Sequence, residues 1–293
     1  MGLIGASCLV DNLEIIAKAN ELCNRYGMDT IEVGNAIAMA MEAYEKGLLT
    51  ERDTGMKLEW GNGKTVLEMI HQMGRSEGFG AVLSQGLVPA AKAIGGEALN
   101  FALHCKGVAF PAHDPRAYTS LALGYATSPR GACHLQAFSH VFERAATAPD
   151  LGILAPLERF TTHGKAELVI KTQNLMALFD SLCVCKFDVF GGASLNILTD
   201  WYNKVTGFAV TPAELLASGE RIFNLKRRYN IDCGLTAADD ALPERILRQA
   251  RGAGGAAENL PDVGAMLAEY YQLRGWDTEG RPPAGLLERM NIN

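Results

Sequence analysis

The sequence predicts a mostly α-helical fold. Apolar residues recur at spacings of three and four along most of the 293 residues, and glycines follow several of these periodic segments. No segment alternates apolar and polar residues as a half-buried strand does. Hydrophobic residues make up 48% of the chain, which is enough apolar material for one large core or two ordinary ones.

The first two helices are predicted at residues 13–26 and 30–45. Asp11 or Asn12 is a suitable N-cap for the first helix, and Gly27 and Gly47 stand where left-handed C-cap residues belong. Because only a short turn joins the two helices, we expect them to form a hairpin.

Helical periodicity continues at residues 64–72, 81–93 and 117–123, with glycine-bearing breaks between these segments. Residues 168–185 are predicted as one long apolar helix. Further on, Thr211, Pro212 and Glu214 combine an N-cap, a first-turn proline and a capping-box acid. Such a cap stabilises a helix start by about 1 kcal/mol.

A domain boundary is predicted near residue 108. The segment HCKGVAFPAHDPRAY interrupts the helical periodicity with two prolines and several polar residues. We therefore expect one helical domain over residues 1–108 and a second over residues 109–293.

Composition excludes several classes of partner. The formal charge is −6, from 27 basic and 33 acidic residues without a basic run, so neither nucleic acid nor an anionic membrane is an expected partner. The N-terminal residues lack the features of an export signal, and no apolar stretch is long enough to span a membrane. We therefore expect a cytoplasmic protein whose seven cysteines are reduced thiols or metal ligands.

Two cysteines one residue apart, Cys183 and Cys185, lie in the stretch FDSLCVCKFDVFGG. By themselves they are typical of core cysteines in an apolar helix, because free cysteine is often buried. An iron–sulfur cluster needs four thiolates, and the chain has neither a C-x-x-C pair nor a zinc-ligand pattern. A redox pair is also disfavoured, since one intervening residue strains a disulfide.

Two turns share one layout. In NRYGMDT, Asn24, Gly27 and Asp29 place hydrogen-bonding side chains around a tight turn, a layout suited to the amide and amino groups of a heterocycle. In FDSLCVC, Asp180 and the two cysteines stand at the same offsets. Taken singly, NRYGMDT is better explained as a helix C-cap followed by an N-cap at Asp29, but two matching turns favour a ligand with two similar halves.

His134 follows Arg130 and Gly131 in SPRGACHLQAFSH. An imidazole where a loop meets a helix is a candidate proton carrier near a bound anion. The alternative is a hydrogen-bonded surface or helix-cap histidine.

The sequence resembles the C-terminal part of the aldehyde ferredoxin oxidoreductase family, the tungsten or molybdenum pterin enzymes. The resemblance runs along nearly the whole chain and is carried by these segments: GASCLVDNLEIIAKANELCNRYGMDTIEVGNAIAMAMEAYEKG, EGFGAVLSQG, KGVAFPAHDPRAY, YATSPRGACH, LPERILRQ and EYYQLRGWDTEG. It implies two helical domains similar to domains 2 and 3 of that family, without the family's N-terminal β domain.

The resemblance also implies a site. The family holds two pterin dithiolenes around one metal with turns of the pattern D-x-x-G-x-D or D-x-x-G-x-C. The implied cofactor-binding residues are Asn24, Gly27, Asp29, Asp180, Cys183, Val184, Cys185 and Lys186. In the family the last cysteine of the second turn is also the fourth thiolate of a 4Fe-4S cluster, which implies that Cys185 is a metal ligand and Cys183 is not. The family motif RGA-x-H makes His134 the implied catalytic proton acceptor.

The sequence departs from the family pattern at several points. Asn24 replaces an aspartate, Cys183 replaces a glycine, and Ala109 replaces a glutamate usual after the Lys-Gly pair. The C-x-x-C-x-x-x-C run that supplies three cluster thiolates in the family precedes the part matched here, so we expect that this polypeptide alone does not assemble the cluster.

The function implied by the resemblance is oxidation of an aldehyde to a carboxylic acid, with electrons passed through a tungsten or molybdenum bis-pterin and a 4Fe-4S cluster to ferredoxin. The alternative is a truncated or split subunit that is inactive alone and binds a separately encoded N-terminal half, with an exposed apolar face at the docking surface. A second copy of the chain, in a homodimer, is a further expected partner. A thiol redox protein using Cys183 and Cys185 is the weakest of the three interpretations.

Overall fold

The computed structural model describes residues 1–292 and confirms the mostly α fold. Its α-helices are α1 Leu13–Tyr26, α2 Thr30–Glu45, α3 Glu51–Thr54, α4 Gly63–Arg75, α5 Gly80–Leu83, α6 Leu87–Ile94, α7 Ala98–Phe101, α8 Thr119–Thr127, α9 His134–Ala137, α10 Lys165–Ser181, α11 Leu195–Thr206, α12 Pro212–Asp232, α13 Glu244–Arg248, α14 Val263–Arg274 and α15 Ala284–Arg289. A π-helical turn spans Gly2–Ala6, and 3₁₀ turns span Ser139–Val141, Pro149–Leu151, Lys186–Gly191 and Ala237–Asp239.

The only strands among residues 1–292 are β1 His104–Cys105 and β2 Val108–Ala109. They form an antiparallel hairpin in which His104 pairs with Ala109 and Cys105 with Val108. The predicted domain boundary near residue 108 falls within this hairpin.

The chain divides into two compact units. The first contains Met1–His113 together with Pro243–Arg245, and the second contains Asp114–Leu242 together with the residues from Ile246 onward. The assignment of residues 1–108 and 109–293 to two family domains stays a prediction.

In the first unit, α1 packs mainly on α4, not on α2 as the predicted hairpin implied. Glycines on α4 allow the close approach, because an added Cβ at Gly74 would lie 2.4 Å from the Tyr26 ring and one at Gly63 would lie 2.7 Å from Ile15. Contacts between the two helix starts and between the two helix ends show that α1 and α4 run parallel. The hairpin prediction was wrong because the sequence alone does not show that α1 packs on the glycines of α4.

In the second unit, α10 is the central helix and is buried on nearly all sides by α8, α9, α12 and α14. Gly219 on α12 makes the closest crossing, since an added Cβ there would lie 2.2 Å from the Asn174 carbonyl oxygen. The predicted helix over residues 168–185 ends early, at Ser181, because Cys183 adopts a left-handed backbone conformation with φ +56°. Within residues 1–292, no helix is both long and apolar enough to cross a bilayer. The cytoplasmic location stays a prediction.

Candidate functional site

The first candidate turn follows α1 in the first unit. Gly27 is left-handed with φ +68°, its N–H donates to the Asn24 carbonyl at 3.3 Å, and the Met28 N–H donates to the Cys23 carbonyl at 2.9 Å. Asp29 then caps α2, because its Oδ1 accepts from the N–H groups of Ile31 at 2.7 Å and Glu32 at 3.0 Å. The turn is therefore a regular helix C-cap joined directly to an N-cap.

The second candidate turn follows α10 in the second unit and has the same backbone pattern. The Cys183 N–H donates to the Asp180 carbonyl at 3.3 Å, and the Val184 N–H donates to the Phe179 carbonyl at 2.9 Å. Cys183 takes the left-handed conformation that Gly27 takes in the first turn. The two segments that match in sequence thus also match in backbone geometry.

This backbone pattern is common at helix C-termini and does not by itself identify a ligand site. It recurs after α4 at Ser76, with φ +55°, and after α14 at Gly275, with φ +66°. Asn24 and Asp29 lie on exposed positions of the first turn, as do Cys183 and Cys185 of the second. The exposed side chains of the two turns, and not their backbone conformation, therefore mark them as a candidate ligand site.

The exposure of Cys183 and Cys185 overturns their interpretation as core cysteines. They lie beyond the end of α10, where the chain leaves the core and enters the Lys186–Gly191 turn. Cys185 is the N-cap residue of that turn, and its thiol lies at the surface of the second unit. Among residues 1–292, no cluster of three or more His, Cys, Asp or Glu side chains is arranged to hold a metal ion.

Lys186 ties the second turn to the segment of His134. Its ammonium lies 2.8 Å from Asp180 Oδ1 and donates to the Leu135 carbonyl at 2.9 Å. The Lys186 side chain is 10% exposed and that of Asp180 is 39% exposed, so only the ammonium end of this bridge is shielded from solvent. Asp180, Cys185, Lys186 and the α9 segment are thereby held together in the second unit, whereas Asn24, Gly27 and Asp29 belong to the first unit.

His134 is half-buried at the start of the four-residue helix α9. Its ring centroid lies 6.1 Å from that of His140, which is buried. Phe138, between these two histidines in sequence, lies edge-on to the exposed rings of Phe187 and Phe190 at 5.7 Å each. An aromatic layer therefore connects the His134 segment with the residues that follow Cys185.

Sequence patterns did not indicate a buried charge pair in this unit. The Glu143 carboxylate contacts the Lys165 ammonium, and both side chains are almost fully buried. Ser120 donates to Glu143 through its N–H at 3.1 Å and its hydroxyl at 2.7 Å, and the same hydroxyl lies 2.9 Å from Ser139 Oγ. Burial raises the pKa of the Glu143 carboxyl, and the neighbouring Lys165 opposes that rise.

The comparisons with known proteins assign this arrangement to a family. A family model described as aldehyde ferredoxin oxidoreductase, domains 2 & 3, matches residues 1–292. The chain belongs to the aldehyde ferredoxin oxidoreductase family. It is 34% identical over 296 aligned residues to the tungsten-containing aldehyde ferredoxin oxidoreductase of Pyrococcus furiosus, covering 99% of this chain and 47% of that protein.

Other members of the aldehyde ferredoxin oxidoreductase family match in the same way. The tungsten-containing enzyme of Thermococcus kodakarensis is 32% identical over 99% of this chain and 47% of its own length. A protein of Pyrococcus furiosus named aliphatic sulfonate oxidoreductase, WOR-like subunit, is 29% identical over 95% of this chain and 43% of its own length. The chain thus spans about half the length of the curated relatives it matches.

A solved structure, the BamBC active-site complex of benzoyl coenzyme A reductase with 1,5-dienoyl-CoA, has the same fold. Its TM-score is 0.73 at 18% identity, over 96% of this chain and 46% of that chain. At this identity the likeness supports the fold alone. The relatives' names are those of oxidoreductases, so this chain belongs to an oxidoreductase family.

Proposed function

We propose that the chain supplies the helical part of a tungsten or molybdenum bis-pterin site in an enzyme that oxidises an aldehyde to a carboxylic acid and passes the electrons to ferredoxin. Membership of the aldehyde ferredoxin oxidoreductase family supports the reaction class. The single observation that carries the proposal is the second turn, which presents an exposed Cys185 thiol and is tied by Lys186 to the segment that begins at His134.

The residues of the two turns fit a pterin. Apart from its chain neighbours, no atom lies within 4 Å of the position that a Cβ on Gly27 would take, so a planar heterocycle has room to approach the backbone. Asn24 offers both an amide donor and an amide acceptor from an exposed position, and the exposed Cys183 side chain does not fill the second turn from within. Asn24, Gly27 and Asp29 would contact one pterin, and the residues from Asp180 to Lys186 the other.

When bound, the metal and its pterins supply the two-electron chemistry, while the protein contributes binding, orientation and proton transfer. Oxidation of an aldehyde with water to a carboxylic acid releases two electrons and two protons. We assign His134 as an acceptor for one of these protons, since imidazole changes its charge near neutral pH. Lys186 neutralises Asp180 and holds the second turn in its conformation.

Cys185 is assigned as one of the four thiolates that would hold a 4Fe-4S cluster, which would supply a path for the electrons. Such a cluster needs four thiolates, and residues 1–292 contain no group of three or more side chains placed to hold a metal ion. We therefore propose that the other three ligands come from outside the residues described here.

A second candidate function is that of a subunit that acts only when bound to another polypeptide. The chain spans about half the length of its relatives, and the name of one relative contains the word subunit. The exposed rings of Phe187 and Phe190, 56% and 60% accessible, lie beside Cys185 and suit a covering protein surface.

An activity assay tests both candidates. The chain would be produced anaerobically with tungstate, alone and together with the segment of the Pyrococcus furiosus enzyme that it does not match. We expect aldehyde-dependent reduction of ferredoxin only in the combined sample. Complex formation without turnover would favour the subunit function alone, and the absence of both would contradict the proposal.

A further inference from the structure

A cavity in the second unit shares only Phe190 with the residues assigned above. It has a volume of about 400 Å³, and its lining consists of Phe142, residues 145–150, Leu175, Val189, Phe190 and residues 192–195. This volume falls within the range of about 300 to 1,000 Å³ that is typical of small-molecule sites. Most of the lining is apolar, with alanine, leucine, valine and phenylalanine side chains.

Asp150 is the one charged residue in the lining of this cavity. Its Oδ2 accepts from the Asn196 N–H at 3.1 Å, at the N-terminus of α11. Its Oδ1 is buried and has no hydrogen-bond donor within residues 1–292. Among residues 1–292 the carboxylate therefore has one hydrogen-bond donor, and no cationic residue lines the cavity beside it.

The segment that carries Asp150 has a fixed conformation. Ala148 and Ile153 exchange two backbone hydrogen bonds, of 2.8 and 3.0 Å, across the Pro149–Leu151 turn. Gly152 closes this turn in the left-handed conformation, and the Leu151 side chain is buried. The carboxylate is thus held in place before any ligand arrives, which lowers the entropic cost of binding.

We infer that this cavity binds a small molecule with an apolar body and a primary ammonium group, which pairs with the Asp150 carboxylate. The lining carries one negative charge and no positive one, which favours a cation over an anion. An ammonium also makes a charge-assisted hydrogen bond, roughly twice as strong as a bond between neutral groups. The inference requires neither the pterin nor the metal and goes beyond the proposed function.

Three molecules of similar shape test the inference on the 293-residue chain: 2-phenylethylamine, 2-phenylethanol and 3-phenylpropionate. Binding would be followed through the NMR signal of the Asn196 amide, which donates to Asp150, and by calorimetry. We expect the amine to bind saturably and at least about tenfold more tightly than the alcohol, and the carboxylate not to bind. Equal affinity for amine and alcohol, or no saturable binding of the amine, would overturn the inference.

Variants distinguish the contribution of the Asp150 carboxylate to binding from that of the cavity itself. Asp150→Asn should weaken amine binding about tenfold or more, because it removes the charge but keeps an oxygen for the Asn196 N–H. Asp200→Asn is the matched control, since Asp200 is exposed on the same helix α11 and lies outside the lining. Ala146→Phe fills the cavity, leaves Asp150 intact and should abolish binding, so the test stands even if Asp150→Asn does not fold. Unchanged affinity in Ala146→Phe would also overturn the assignment.

Discussion

At the residue scale, the two candidate turns differ most at the left-handed position. Glycine adopts this conformation without steric cost, whereas a residue with a Cβ pays about 1 to 2 kcal/mol. Gly27 holds the position in the first turn, with φ +68°, and Cys183 holds it in the second, with φ +56°. The sequence identified Cys183 as a departure from the family glycine, and the structure shows that Cys183 takes the same left-handed conformation as Gly27.

A reciprocal pair of variants measures this cost. Cys183→Gly should raise the free energy of unfolding by about 1 kcal/mol, and Gly27→Ala should lower it by about the same amount. The space around a Cβ at Gly27 is open, so that change is not confounded by a clash. Thermal unfolding of the two variants provides the measurement. A stabilising Gly27→Ala or a destabilising Cys183→Gly would show that the backbone conformation does not set the energy of these turns.

In the proposed function, His134 accepts one of the protons that the reaction releases. In the assembled, cofactor-loaded enzyme, His134→Gln should lower kcat at least about a hundredfold, the usual contribution of a general acid or base, and should remove a pH-dependent limb from the rate profile. His163→Gln, at an exposed histidine of the same unit, is the control. Full turnover with an unaltered pH profile would reduce His134 to a structural residue of α9.

At the element scale, the α12 cap was predicted from three residues because every contact in it is local. Thr211 Oγ1 accepts from the Glu214 N–H, and Glu214 Oε2 accepts from the Thr211 N–H at 2.7 Å. The early end of α10 was not predicted, since the apolar run continues past Ser181 while the chain turns at Cys183. Helix starts with side-chain caps are thus readable from sequence, whereas a left-handed cysteine gives no such signal.

The Thr211–Glu214 cap also predicts that the stability of the protein depends on pH. Hydrogen bonds from the Thr211 backbone N–H and hydroxyl lower the pKa of the Glu214 carboxyl below its ordinary value of 4.5. Because the pKa is lower in the folded state, the stabilisation is complete above about pH 4.5 and is lost as the pH falls through the folded pKa. The difference in unfolding free energy between the wild type and Glu214→Gln should therefore shrink below about pH 4.5.

Urea unfolding at a series of pH values tests this prediction. Glu288→Gln, at an exposed carboxyl on α15, is the matched control. A difference between the wild type and Glu214→Gln that stays constant down to about pH 3 would contradict a lowered Glu214 pKa.

At the scale of the whole molecule, the contacts that sequence reasoning missed join residues far apart in the chain. Arg245 forms a bidentate pair with Glu42, at 2.6 and 2.9 Å, and thereby joins the segment Pro243–Arg245 to the first unit. Asn196 and Asp150 are a similar case, as are Lys186 and Leu135. The helices and the two matching turns can be predicted from local sequence patterns. Their hydrogen-bond partners from distant parts of the chain cannot, because no local pattern identifies them.

The core of the second unit depends on one such long-range contact set. The Arg274 guanidinium is buried, donates to Gln173 at 2.9 Å, Asn174 at 2.7 Å and the Tyr270 hydroxyl at 3.1 Å, and lies over the Phe223 ring. Arg274→Met should lower the free energy of unfolding by about 3 kcal/mol or more, because the Asn174 and Tyr270 oxygens lose their arginine donor and Gln173 Oε1 keeps only the Tyr270 hydroxyl. Arg228→Met, at an exposed arginine of α12, is the control. A loss no larger than that of the control, measured by urea unfolding, would contradict the assigned role.

The proposed bis-pterin site is the central claim at this scale, and metal content is the measurement that tests it most directly. The chain would be purified anaerobically from tungstate-containing cultures, alone and with the complementary segment of the Pyrococcus furiosus enzyme, and tungsten and iron would be counted per chain. We expect both metals only in the combined sample, with iron lost in Cys185→Ser and kept in Cys183→Gly. Neither metal in the combined sample, or full iron content in Cys185→Ser, would contradict the account.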